Sequence, residues 1–520
     1  MAINKEEKSS QHETIGPQEV EMTPLGRPQE ELPRCYPHVC GRPLYRGNQE
    51  ALAWALDTSG RGVVWIGSGA FLATALLKLA KEAAGCETEA PPGEPIPECD
   101  NRVHGIRPSS LLTTYTIVIG LLSATLMPFM GAIIDYTNYR LKLGRFLTVT
   151  YCCLLFPQIF ISSETWFAIA IIQIAVAFIG WGQTMLTYAY LPELTDDAEL
   201  LNKYSSNFTV VQFGSMVTYL AAVVGVSFAA GLADDSVATA RIGQSVSFVV
   251  ASVTLSYAWS LFRPRPSTRD LPAGQSLWTS GFKQVWHTSV KIYKHYKALK
   301  WFYVSVAFAD AAMYSLATIA VTYLTNQLQF TSLENGIAIL VMLIASVPGG
   351  VLAGWCTARF HNPIWTSIAS VTIMAVNTLV VGIVLQKPGQ QIATYILAAG
   401  WGLGTGWKWT ADRLLSSTII PTGQDAELMG MYLFAGQVIT WVPPLVFTGL
   451  NEAGVSQRIG IISLDVFFVI SGIAYLLMGS YKEAIEVASR HKPPADTRPI
   501  EENPDDLAAA IESSIEPLQN

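Results

Sequence analysis

Trp301-Phe-Tyr-Val-Ser-Val-Ala-Phe-Ala-Asp310-Ala-Ala-Met-Tyr314, continuing apolar to Leu324, is a stretch fit to cross a membrane with one carboxylate near its middle. A charge at that depth is costly, so it faces a partner, a wet cavity or a substrate path. Working outward, half of the 520 residues are hydrophobic and only 14% are charged. A soluble domain carries about a quarter charged residues, too many for this chain to match. Apolar runs long enough to span recur along it. They fall at 62–80, 110–135, 146–163, 166–190, 207–231, 243–262, 301–325, 335–357, 364–386, 391–411, 428–450 and 458–479. The reading is an all-α membrane protein of twelve transmembrane helices in two six-helix halves.

The expected organisation is a polar N-terminal tail (1–50), a six-helix half (51–262), a basic linker (263–300), a second six-helix half (301–479) and an acidic, disordered tail (480–520). The polar start offers no cleavable signal, so the first span would target the chain. Lys and Arg concentrate in alternate loops, fourteen against six by the expected spans, which puts both termini in the cytosol. In the linker, Phe282, Val285, Trp286, Val290, Tyr293 and Tyr296 recur at helical spacing among five lysines. This reads as an amphipathic helix on the cytosolic leaflet or, more simply, as the joint between the halves.

Cys86 and Cys99 share the outer loop between the first two spans, with four prolines between them. They would staple the loop in an oxidising lumen, or stay free thiols. Cys35 and Cys40 lack neighbours that would complete a zinc site. Gly400-Trp-Gly-Leu-Gly-Thr-Gly406 lies inside an apolar span with no preceding strand, so it reads as close helix packing rather than a phosphate loop. No metal site, enzyme constellation or nucleic-acid motif emerges, and no cofactor is expected. The oligomeric state is not legible.

A weak repeat links the halves. Pro128-Phe-Met-Gly131-Ala-Ile-Ile-Asp135, followed by Arg140, and Pro348-Gly-Gly-Val-Leu-Ala-Gly354, followed by Arg359, occupy equivalent places. The first resembles the G-x-x-x-D-(basic) loop of the major facilitator superfamily, with four residues between Asp135 and Arg140. Tyr188-Ala-Tyr-Leu-Pro192-Glu193-Leu194, Phe308-Ala-Asp310-Ala-Ala-Met-Tyr314, Asp412-Arg413 through Pro421, and Glu427-Leu-Met-Gly430-Met-Tyr432 are similar, in order and spacing, to the autophagy-related protein 22 branch of that superfamily. The chain departs from the branch at Asp57-Thr-Ser-Gly60-Arg61.

The resemblance implies a secondary transporter working by alternating access, similar to vacuolar exporters of amino acids. It also implies a cavity lined by the first, fourth, seventh and tenth helices. On this chain these carry Asp57, Arg61 and Trp65; Gln173, Trp181, Gln183 and Tyr188; Asp310 and Tyr314; and Trp401, Trp407 and Lys408. Asp310 could carry a proton or bind a substrate ammonium, or simply lock two helices. Lys408 and Arg413 could meet a substrate carboxylate, or snorkel to water. Glu193, paired with Arg413 or Lys203, and Asp135 with Arg140 read as gating charges, beside Asp412. The two glutamines could bond between helices instead of contacting ligand. The substrate class implied is amino acids, with proton coupling, in a vacuolar or lysosomal membrane. A plasma-membrane location, a sugar or drug transporter, and a non-transporting receptor or scaffold stay open.

Overall fold

The computed structural model describes residues 37–39, 42–87, 99–195, 197–267, 271, 276–421 and 425–490. Among them the helices are α1 (Gln49–Gly67), α2 (Ala73–Ala83), α3 (Leu111–Tyr136), α4 (Arg140–Gln158), α5 (Trp166–Tyr190), α6 (Ala198–Ala229), α7 (Ser236–Leu261), α8 (Leu277–His295) and α9 (Lys297–Gln327). They continue as α10 (Ser332–Phe360), α11 (Pro363–Val384), α12 (Gln391–Ile419), α13 (Asp425–Val438), α14 (Val442–Glu452), α15 (Gln457–Ile462), α16 (Leu464–Leu477) and α17 (Tyr481–Arg490). Cys35, Cys40 and the last thirty residues lie outside the described part.

Nine helical segments among the described residues are long and apolar enough to cross a membrane. α4, α7 and α12 alternate with them at expected span positions. α4 and α12 carry three or more charges each, and Ser, Thr and Gln dilute α7, which lowers their apolarity. The first span differs most from expectation. It begins at Gln49 and runs through a π-helical turn, Ser68–Leu72, to Ala83 as one 35-residue rod. The sequence hides its first third because Glu50, Asp57 and Arg61 interrupt the apolar run. All three are buried, and each has a partner: Arg265 lies 2.5 Å from Glu50, and Arg61 2.7 Å from Asp57. The expected disordered tail also yields. Tyr481–Arg490 is helical and buries Ala484 in the cluster that includes Phe302 and Leu428.

Two bundles result. In the first, α1 packs against α5, α6 and α7. In the second, α9 packs against α13 and α16, and α12 against α10 and α11. The glycine run decides the tightest crossing. A methyl group at Gly402 or Gly406 would collide with the Met342 or Ser346 carbonyl of α10, so only glycine lets α10 and α12 approach this closely.

The molecule has two unlike faces. On one, Cys86 and Cys99 form a disulfide with Cα atoms 5.8 Å apart. Beside it, polar contacts join the bundles. Arg102 pairs with Glu452 at 2.8 Å, and Arg107 donates to the Asn451 carbonyl at 3.0 Å. Asn451 donates in turn to Ser109 and Ser110 at 2.7 Å each, and Thr113 meets Thr448 at 2.6 Å. On the opposite, basic face, α8 reaches both bundles. Gln284 donates to Asp135 of α3 at 3.2 Å and Thr288 to Glu427 of α13 at 2.6 Å.

Candidate functional site

Both bundles contain an acid and a base one helical turn apart, buried where a lone charge would be costly. In α1, Asp57 and Arg61 form the pair, and Asp57 is wholly buried. Its carboxylate is saturated: it accepts from Arg61 Nε at 2.7 Å, Thr187 of α5 at 2.8 Å and Trp259 of α7 at 2.9 Å. Trp259 is held by α4, whose Gly144 leaves just the room its ring requires. One acid and one base make this knot formally neutral.

The second knot forms around Lys408 in α12. Its ammonium lies 2.5 Å from Asp310 of α9 and 2.6 Å from Asp412 one turn along its own helix. Tyr475 of α16 donates to the other Asp412 oxygen at 2.5 Å. Lys408 and Asp412 are fully buried, whereas the Asp310 side chain keeps 8% exposure. Two acids share one base, so the ionised knot carries one surplus negative charge. Gly436 of α13 lies close to the Asp310 oxygen that Lys408 does not hold.

Polar and aromatic groups link the knots across the seam between the bundles. Arg61 bonds through Nη1 to Thr184 of α5, while its Nη2, buried, has no hydrogen-bond partner among the described residues. One turn from Thr184, Trp181 meets Tyr314 of the other bundle edge-on at 5.5 Å. Tyr314 is one turn from Asp310. Along α1 between Glu50 and Gly67 every residue is buried except Leu56, which is half-buried, and Trp65, which is 42% exposed. Trp65 lies one turn beyond Arg61. Arg61, Thr184, Trp181, Tyr314 and Asp310 thus follow one another across the seam.

Several expected residues sit elsewhere. Gln183 donates to Thr148 of α4 at 2.7 Å, and Gln173 accepts from Gln158 at 2.9 Å, so both amides bond helix to helix. Trp401 is buried and donates to Thr378 of α11 at 3.1 Å. Tyr188 is half-buried and packs edge-on against Trp54. Lys408 does not snorkel: it is too deep, and two carboxylates hold it. Arg413 is partly wet and donates to Thr209 of the first bundle at 2.8 Å. Glu193 pairs with neither Arg413 nor Lys203. Its partners are Arg140 at 2.9 Å and Arg265 at 3.3 Å, brought there by the end of α5 and the linker. Asp135 takes Gln284 of α8.

Sequence reasoning missed Trp259, Tyr475, Thr187, Glu50 and Arg265. The first three look like ordinary span residues. For Glu50 the signal was present: an acid ahead of an apolar run with no solvent-side reason to be there.

This architecture is shared with solved membrane transporters. The nucleoside transporter NupG superimposes with a TM-score of 0.53 at 12% identity, covering 83% of this chain and 99% of that one. The POT family transporter PepTSo gives 0.57 at 13%, covering 84% and 98%. The inward-open xylose transporter XylE from E. coli gives 0.52 at 15%, covering 84% and 98%. At such identities the likeness shows the fold alone, the one these membrane proteins share. The chain belongs to the family described as Vacuole effluxer Atg22 like, whose sequence profile matches residues 46–488. No curated protein matches it.

Proposed function

We propose that this transporter exports amino acids from the lumen of a vacuole or lysosome to the cytosol, with a proton exchanging at Asp310. The observation that carries the reading is the unbalanced charge of the second knot. Asp310 and Asp412 share Lys408, and a buried surplus carboxylate calls for a cation. Asp310 is the knot's partly exposed acid, so a proton or a substrate ammonium would meet it first. On the other side of the seam Arg61 has a free buried donor, the complement of a substrate carboxylate. A zwitterion carries both complements, an ammonium for Asp310 and a carboxylate for Arg61, and Trp181 and Tyr314 lie between the two groups. The basic face is then cytosolic, in accord with the Lys and Arg bias, and both termini lie there. The vacuolar location follows the family's description.

The test is flux of labelled amino acids through proteoliposomes, with and without an acidic interior, beside a sugar, a nucleoside and the Asp310→Asn protein. Gradient-dependent amino-acid flux that Asp310→Asn abolishes, in a protein that still elutes as a folded species, is expected. Sugar or nucleoside flux without amino-acid flux would overturn the substrate. Equal flux through Asp310→Asn would overturn the site.

A further inference from the structure

α8 does more than join the bundles. It begins at Ser276, whose hydroxyl caps it by accepting from the Thr279 amide, and it presents three distinct sectors. At 100° per residue, Gly281, Thr288 and Ile292 fall within about 40° of one another. All three are buried against the protein, and Gly281 lies so close to the Pro128 carbonyl of α3 that a methyl group would clash. Trp278, Phe282, Trp286 and Tyr293 occupy a neighbouring sector about 80° wide. They are 46%, 38%, 72% and 70% exposed. Lys283, Lys291 and Lys294 fill the next sector, and none of them is held in an ion pair among the described residues.

The depth of this helix fixes what it touches. Pro128 lies eight residues before the end of α3, about 12 Å along its axis. α8 therefore crosses α3 about two turns short of its end rather than beyond it. Its aromatic sector continues the apolar outer wall of α3, where Phe129 and Trp278 meet at 5.2 Å. Large exposed rings on the outside of a membrane bundle suit acyl chains, and lysines in the next sector suit an anionic headgroup layer. That layer would have to supply negative charge, because no described acid of the protein is paired with these three ammonium groups.

We propose that the outer face of α8 is a docking surface for anionic phospholipid headgroups of the leaflet on the basic face, with the aromatic sector seated among their acyl chains. The surface is built on a helix held to both bundles, by Gln284 on Asp135 and by Thr288 on Glu427. It is separate from the transported solute and from the site between the knots.

The experiment is lipid retention by the full-length protein. Protein reconstituted in nanodiscs of mixed phosphatidylcholine and phosphatidylserine is extracted gently and its bound lipid counted by native mass spectrometry. A parallel set replaces the serine lipid with phosphatidylinositol phosphate. Wild type is expected to keep the anionic lipid in preference. Each of Lys283→Gln, Lys291→Gln and Lys294→Gln should weaken that preference about fivefold. Lys387→Gln, the same charge change on the opposite face, should leave it intact. Trp286→Gln, which keeps the lysines, should lower total lipid retention without changing the preference. Retention unaffected by the lysine changes would overturn the proposal. So would equal retention of neutral and anionic lipid, or binding of an acidic protein or a second copy of this chain through the same lysines with no lipid preference.

Discussion

Asp57 and Asp310 sit on the first helix of their respective bundles, and each is buried beside a cation, yet their surroundings differ. Asp57 has three donors in place, one of them its cation Arg61, in a neutral knot. Asp310 shares its cation with a second acid, has an oxygen that Lys408 does not hold and is not fully sealed. A balanced buried ion pair resists change, because any charge added or removed goes unpaired. An unbalanced one invites a further cation. Burial of a carboxylate does not by itself mark a transport residue; under the proposed function the charge count around it is what sets Asp310 apart.

The harshest way to break the contrast is Lys408→Met. It leaves two facing carboxylates with no base, and a loss of about 3–5 kcal/mol is expected. Thermal unfolding in nanodiscs reads it, and a wild-type midpoint would show that the knot is not ionised as described. Next, Asp57→Asn and Asp310→Asn should part company. The first strands the Arg61 guanidinium and should cost about 3 kcal/mol. The second leaves Lys408 with Asp412, a neutral pair, so it should cost less stability while abolishing flux. Equal stability losses would erase the distinction between the two acids. Gly144→Ala tests the support of the first knot from behind, since it presses on the ring of Trp259. Overpacking of this kind costs about 1–3 kcal/mol, seen as a lower midpoint. The smallest effect belongs to Gln183→Ala. Thr148 keeps its bond to the Gly144 carbonyl, so a loss of about 1 kcal/mol with unchanged flux is expected. Lost flux in a stable Gln183→Ala protein would return that glutamine to the site.

Much of this was legible because membranes simplify the reading. Apolar runs placed most helices, and a lone Asp310 in such a run called for a partner, which Lys408 supplies. The pairs Asp57–Arg61 and Lys408–Asp412 stand at i, i+4 spacings, but reading the residues one at a time did not join them. What could not be read was how distant positions meet. Nothing near Asp57 in the sequence points to Trp259, 202 residues away. An indole in an apolar span looks like packing until its N–H finds an acceptor. The partners assigned to Glu193 failed for the same reason: several basic side chains were available at one face, and only the fold chooses Arg140 and Arg265. Lys408 was misplaced because its distance from the span's end suggested water within reach, whereas two carboxylates hold it inward. Gln183 and Trp401 follow a different lesson. Their polar atoms needed partners inside the bundle, and neighbouring helices supplied them before any ligand could.

The rod formed by α1, the π-turn and α2 joins two of these features mechanically. Its far end, Ala83, is three residues from Cys86, and the disulfide carries the chain straight into Arg102 and Arg107, the residues clasping Glu452 and Asn451. Arg61 sits on the same rod, about 33 Å from that end. Any rocking that opens the clasp must pull on a lever whose other arm holds the Arg61 guanidinium with its unpartnered Nη2. The disulfide then acts as a rivet, setting how much of that stroke reaches the middle of the membrane.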